Sequence, residues 1–180
     1  MRMLAIALAA SGLFALSVPA VATASVETEE ARSEAASAAD TARWDMLESF
    51  GPKALDPGQY LWADELGEGP AKVVVSLGEQ MAYVYRGERL VGMTTISSGK
   101  EGKDTPTGIF SVLEKKPMHR SRKYDNAPMP FMQRIDQYGI ALHAGMIPGR
   151  PASHGCVRLP SAFASKLFAM TKVGDRVVIG

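Results

Sequence analysis

The chain has 180 residues, 46% of them apolar, and carries 20 Lys and Arg against 19 Asp and Glu, a formal charge of +1. A balance this even excludes the basic field that nucleic acid recognition needs. A single cysteine, Cys156, excludes an intramolecular disulfide framework, and the length suffices for one domain with a real core.

Residues 1–24 read as a secretory signal, with Arg2 as the positive start, an apolar run from Leu4 to Val18, and Ala22-Thr23-Ala24 as the cleavage site. Gly12, Ser17 and Pro19 interrupt the apolar run, which is short for a span, so cleavage is expected and a stable membrane anchor is not. Losing Arg2 takes the 20 basic residues to 19, equal to the 19 acidic ones. Residues 25–40, rich in Ala, Ser and Glu, read as a spacer with at most transient helix, because they offer little surface to bury. Residues 41–50 suggest a short amphipathic helix through Trp44, Leu47 and Phe50, and residues 51–70, with their prolines and glycines, an extended lead-in.

A compact domain is expected over residues 71–180. Strands are predicted at residues 72–77, 80–86, 89–96, 108–114, 131–135, 139–143 and 175–179, with Gly87-Glu88 as a tight turn. Residues 160–172 carry Phe163, Leu167 and Met170 at helical spacing, with Pro160 at the start and Gly174 past the end. Many short strands and one late helix predict a mainly β, mainly antiparallel domain.

The chemistry gathers around Cys156, in Ser153-His154-Gly155-Cys156-Val157-Arg158. An unpaired thiol in an exported chain, close to histidines and an arginine, is a candidate nucleophile rather than a small core residue. It needs a base, a group that orients the base, and donors for an oxyanion. His143 ends a predicted strand and can approach the sulfur from a neighbouring strand, so it is the expected base. His154 is expected to shape the loop through hydrogen bonds. Gly155 suits a backbone that turns tightly, and its amide and that of Cys156 are candidate oxyanion donors. Arg158 can bind a substrate carboxylate or steady the loop. A zinc set of His143, His154 and Cys156 is disfavoured by the cramped H-x-C spacing and the lack of a C-x-x-C or H-E-x-x-H pattern, so no metal is expected. The third histidine, His119, falls in the basic stretch of residues 115–123. That stretch reads as a solvated loop, or as a wall that attracts the carboxylates of an acidic substrate.

At these residues the chain resembles the L,D-transpeptidase (YkuD-type) catalytic domain of bacterial cell-wall enzymes. The resemblance rests on Leu142-His143-Ala144-Gly145 followed by the Ser153–Arg158 motif. It extends to Gly99, Thr105-Pro106-Thr107-Gly108, residues 126–130 and the closing residues 174–178. It implies a β-sandwich-like fold with one helix in the C-terminal region, no cofactor, and a place in the periplasm. Cys156 and His143 would be catalytic, the Ala144 carbonyl would orient His143, and Ser153, His154, Gly155 and Arg158 would fill the other motif positions. The implied partners are peptidoglycan stem peptides. The thiol would attack the diaminopimelate carbonyl of a tetrapeptide stem and release D-alanine. An amine would then take the acyl group, either from a second stem or from a protein lysine, as on an outer-membrane protein. Water as acceptor would make the same site an L,D-carboxypeptidase, and a non-catalytic cell-wall binding module is the reading from another class. A papain- or NlpC-like endopeptidase fits less well, because there the cysteine precedes the histidine.

Overall fold

The computed structural model describes residues 26–180, and the expected signal lies outside them. In chain order the elements are α1 (Glu29–Phe50), β1 (Tyr60–Trp62), β2 (Ala71–Ser76), β3 (Met81–Arg86), β4 (Arg89–Thr95), β5 (Gly108–Ser111), β6 (Glu114–Arg120), β7 (Pro128–Arg134), β8 (Ala141–Ala144), β9 (Val157–Leu159), α2 (Ser161–Met170) and β10 (Arg176–Ile179). They form a six-stranded sheet, β1-β4-β3-β2-β10-β5, and a four-stranded sheet, β6-β7-β8-β9. The pairing is mainly antiparallel, but β10 runs parallel to β2 and β8 parallel to β9.

The alternation along the central strands explains the layering. Val73, Val75, Ala82, Val84, Val177 and Ile179 point into the main core, where they meet Phe110, Leu142, Val157, Phe163 and Leu167. Their neighbours Val74, Tyr83, Tyr85 and Val178 point the other way, into a second apolar layer. The large sheet is therefore covered on both faces, which is why β2 reads as unbroken valine rather than as an apolar–polar alternation.

The cover on the outer face is α1, and it corrects the spacer reading of residues 25–40. Thr28 caps the helix, its Oγ1 accepting from the Ala31 amide at 3.2 Å, and Glu29 and Glu30 lie in the first turn beside the positive end of the helix dipole. Ala31, Ala35, Ala39 and Ala42 are the buried residues of α1, and three of them pack in the outer layer. Their small side chains let the helix lie close to the sheet. Asp45 accepts from the Tyr85 hydroxyl at 2.7 Å, and Arg43 pairs with Glu79 at 3.3 Å. Ahead of α1, Val26 exchanges two backbone hydrogen bonds with Ile109 and so extends the sheet beyond β5. The lead-in also joins the large sheet, because β1 pairs with β4.

The basic stretch is corrected as well. Residues 114–120 form β6, an edge strand whose polar side chains and Pro117 suit a position with one free side. Lys115 is half-buried. Its Nζ donates to the Phe168 carbonyl at 2.7 Å and to the Thr171 carbonyl, and it lies 4.4 Å from the centre of the Phe168 ring. A cation at these last carbonyls caps the C-terminal end of α2. Burial in this position pulls the Lys115 ammonium below its ordinary pKa, while Asp175 pushes it up. No helix among the described residues is long and apolar enough to cross a membrane.

Candidate active site

The parallel pair β8 and β9 brings the motif together. Leu142 lies opposite Val157 and His143 opposite Arg158. Leu142 and Val157 are fully buried and face the core, so the alternation turns His143 and Arg158 to the opposite face. Cys156 stands immediately before β9. These three side chains line one cleft of about 990 Å³, whose far wall is built by β6, β7 and the turn between them.

His143 is only 8% exposed, and its Nδ1 lies 2.8 Å from the Ala144 carbonyl. A carbonyl can only accept, so Nδ1 carries the proton and Nε2 is the basic nitrogen. Burial lowers the imidazole pKa below 6.5; the Ala144 bond opposes this, and the nearby Arg158 and His119 reinforce it. Cys156 is half-buried and packs against Met129, Met132 and Ala141, with Sγ 3.7 Å from the Gly139 carbonyl. Burial raises the thiol above its ordinary pKa, Asp136 adds to the rise, and a main-chain hydrogen bond from Ala141 and the charge of Arg158 offset part of it. Both groups are therefore biased toward their neutral forms.

The loop before the thiol is held from three sides. Ser153, 1% exposed, accepts from the Gly155 amide at 3.0 Å and donates to the Cys156 carbonyl at 2.5 Å. Thr105 donates to the Gly155 carbonyl at 2.8 Å and accepts from the Gly99 amide at 2.9 Å. Ser97 exchanges two backbone hydrogen bonds with Arg158. Gly155 has φ +116°, a conformation that favours glycine, while a Cβ there would meet only the movable end of Ile140 at 2.6 Å.

The Gly155 amide, an expected oxyanion donor, is engaged by the Ser153 hydroxyl in this structure. Among the described residues no backbone acceptor is recorded for the Cys156 amide outside regular elements, and it is the candidate donor. His154 makes no ring hydrogen bond among the described residues. It is exposed, and its ring stacks on Tyr124 with centroids 4.4 Å apart and planes at 19°. His119, placed by sequence in a solvated loop, sits on β6 and lines the same cleft as His143. Arg158 packs its Cγ and Cδ where a Cβ on Gly145 would come within 3.0 Å, so Gly145 makes room for the arginine stem. Among the described residues no group of His, Cys, Asp or Glu is assembled to hold a metal.

Sequence reasoning missed Asp136. The residue is 2% exposed, and its Oδ1 accepts from the amides of Tyr138, Gly139 and Ile140 at 2.9, 2.8 and 2.7 Å. This fixes the turn whose Gly139 carbonyl faces the thiol. The signal was present, since Asp136-Gln-Tyr-Gly139 before a strand is the pattern of a side chain bonding its own following backbone. Tyr124 left no such signal, because its role comes only from the fold of the β6–β7 turn.

A histidine strand and a cysteine loop set side by side at one cleft of a two-sheet β domain define a class of domains with a thiol and an imidazole in one site. The model of the L,D-transpeptidase catalytic domain family, YkuD, matches residues 70–179, and the chain belongs to that family. It is 29% identical over 147 residues to the probable L,D-transpeptidase YbiS of Escherichia coli K12; the match covers 67% of this chain and 47% of the relative. The chain thus spans about half the length of the curated relatives it matches. Among solved structures, an L,D-transpeptidase from Stackebrandtia nassauensis superposes with a TM-score of 0.58 at 25% identity, over 77% of this chain and 66% of that one. L,D-transpeptidase 3 from Mycobacterium tuberculosis, in complex with a faropenem-derived adduct, superposes at 0.56 over 61% of this chain and 59% of that one. Its 20% identity speaks for the fold alone.

Proposed function

We infer that this chain is a cysteine-dependent L,D-transpeptidase acting on peptidoglycan stem peptides. One observation carries the reading: β8 and β9 deliver an imidazole of fixed tautomer, an unpaired thiol and an arginine to the same cleft. The thiol attacks the diaminopimelate carbonyl of a tetrapeptide stem while Nε2 of His143 takes its proton. With both groups neutral at rest, proton transfer accompanies attack and no thiolate accumulates beforehand. The Cys156 amide donates to the developing oxyanion. The C–N bond to D-alanine then breaks, and the imidazolium returns the proton to the leaving amine. This leaves a thioester on Cys156. An incoming amine gives its proton to His143, attacks the thioester and restores the thiol, so one amide bond is exchanged for another without an outside energy source. Arg158 is positioned to receive a substrate carboxylate, and the Ala144 carbonyl and the Ser153 hydroxyl hold base and loop. The acceptor amine comes from a second stem or from a protein lysine. The reading requires export to the cell-wall space, for which residues 1–24 would serve.

The test incubates the purified protein with a defined tetrapeptide muropeptide and follows D-alanine release and acyl transfer by mass spectrometry. Cys156→Ala should lower release by on the order of 10³-fold or more while the protein stays folded. Turnover that persists in that variant would refute the mechanism. Transfer only to water would assign an L,D-carboxypeptidase instead.

A further inference from the structure

The cleft is far more cationic than the protein that contains it. The chain is nearly neutral, yet Lys116, Arg122, Lys123, Arg134 and Arg158 all line the cleft, and among the described residues Glu114 is the only acidic one lining it. Glu114 is already engaged, 2.7 Å from Lys116 and 3.1 Å from Arg134. None of the ion pairs among the described residues involves Arg122, Lys123 or Arg158. Arg158 stands at the thiol. The other two lie in the β6–β7 turn, which lines the same cleft.

That turn is tethered. Tyr124 stacks on His154 of the thiol loop, and the Tyr124 and Ala127 amides donate to the Ser121 hydroxyl and the Tyr124 carbonyl at 3.1 and 2.9 Å. Asp125 belongs to the same turn but does not line the cleft. Two cations outside any ion pair among the described residues, Lys123 lying 5.6 Å over the Tyr124 ring, therefore line the same cleft as the thiol, in a recess that concentrates their field.

We propose that the β6–β7 turn is a carboxylate subsite, in which Arg122 and Lys123 engage the free remote carboxylate of the diaminopimelate residue being attacked. This rests on the transpeptidase reading above. Diaminopimelate carries a second carboxyl group at the opposite end of its carbon chain from the carbonyl under attack. A guanidinium accepts such a carboxylate in a two-pronged hydrogen bond, whereas a carboxamide of the same shape brings no charge and turns an N–H toward the cations. The protein thus selects stems whose side carboxyl is free over stems in which it is amidated.

The experiment uses two tetrapeptide stems that differ only in this carboxyl group, acid or amide. Binding is measured on full-length Cys156→Ala protein, and D-alanine release on the wild type. The acid stem should bind, and react by kcat/KM, about tenfold better at low salt, and the margin should shrink as ionic strength rises. In Arg122→Gln/Lys123→Gln protein, with folding checked by its melting curve, the margin should fall to about twofold or less. Equal handling of both stems by the wild type, or an undiminished margin in the double variant, overturns the subsite. A binding margin without any D-alanine release upholds the subsite and sinks the transpeptidase reading. Turnover without a margin does the reverse, and no binding of either stem overturns both.

Discussion

His143 and Cys156 are displaced in opposite directions from their ordinary ionisation, and each displacement favours the uncharged form. The imidazole pKa is held below 6.5, so the base stays neutral into mildly acidic solution, and the acid limb of kcat/KM should lie below pH 6.5. The thiol pKa is held above 9.0, so alkylation of Cys156 by iodoacetamide at pH 7 should be slower than that of a free cysteine and should climb only above pH 9. Rapid neutral alkylation would contradict the resting pair described above. Asp136 separates shape from charge at the same thiol. Asp136→Ala leaves three amides without their acceptor and should cost about 3 kcal/mol of stability, with a fall in kcat larger than any change in KM. Asp136→Asn keeps an oxygen for those amides but removes the negative charge. Its alkylation profile should therefore move to lower pH, with most of the stability retained.

At the scale of elements, α1 shows what hydropathy cannot report. Alanine scores weakly as a core residue, yet Ala35 and Ala42 are wholly buried because the helix lies close to the sheet, and the backbone of Ala35 sits where a Cβ on Gly180 would come within 2.5 Å of its carbonyl. Ala35→Leu should overpack this contact and lower the urea-unfolding free energy by about 2 kcal/mol; a neutral result would mean the helix rides loosely on the sheet. The same physics sorts what was legible. β2, β3, β4, β7, β8, β10 and α2 announce themselves by β-branched runs or by a helical apolar spacing. The valines of β2 pointed to a strand but not to its two buried faces, since a continuous run carries no period from which to count faces. β6 was hidden by lysines on an exposed edge. β9 has three residues, too few for any pattern, and its parallel partnership with β8 depends on a crossover that no local signal encodes. At the site, His143, Cys156, Ser153 and Arg158 were legible from their motif, but Gly155's engaged amide and the His154 stack depend on elements distant in sequence.

Taken as a whole molecule, the protein places its thiol loop where the two sheets meet. The connection from β4 to β5 leaves the large sheet, and its Ser97, Ser98, Lys100 and Thr105 bond to Arg158, Ser153 and Gly155 beside the small sheet. The thiol loop is thus positioned by a segment that leaves the other sheet, and the packing of the two layers is coupled to the geometry of Cys156. Gly99 is the narrowest point of this seam, because a Cβ there would lie 2.0 Å from the Lys103 carbonyl oxygen and 2.8 Å from the Thr105 amide, both backbone atoms that no rotamer change can move. Gly99→Ala must therefore displace residues 103–105, breaking the path through the Thr105 hydroxyl to the Gly155 carbonyl. It should lose about 2 kcal/mol or more in urea unfolding, and D-alanine release per folded molecule should fall about tenfold or further. Thr105→Val keeps the shape of the seam but removes the hydroxyl that serves Gly99 and Gly155. If the seam acts on the thiol through this hydroxyl, Thr105→Val should reproduce most of the loss in kcat at a smaller cost in stability. If Gly99→Ala merely destabilises the protein, its folded fraction will turn over at the wild-type rate and the coupling between sheets and site is absent.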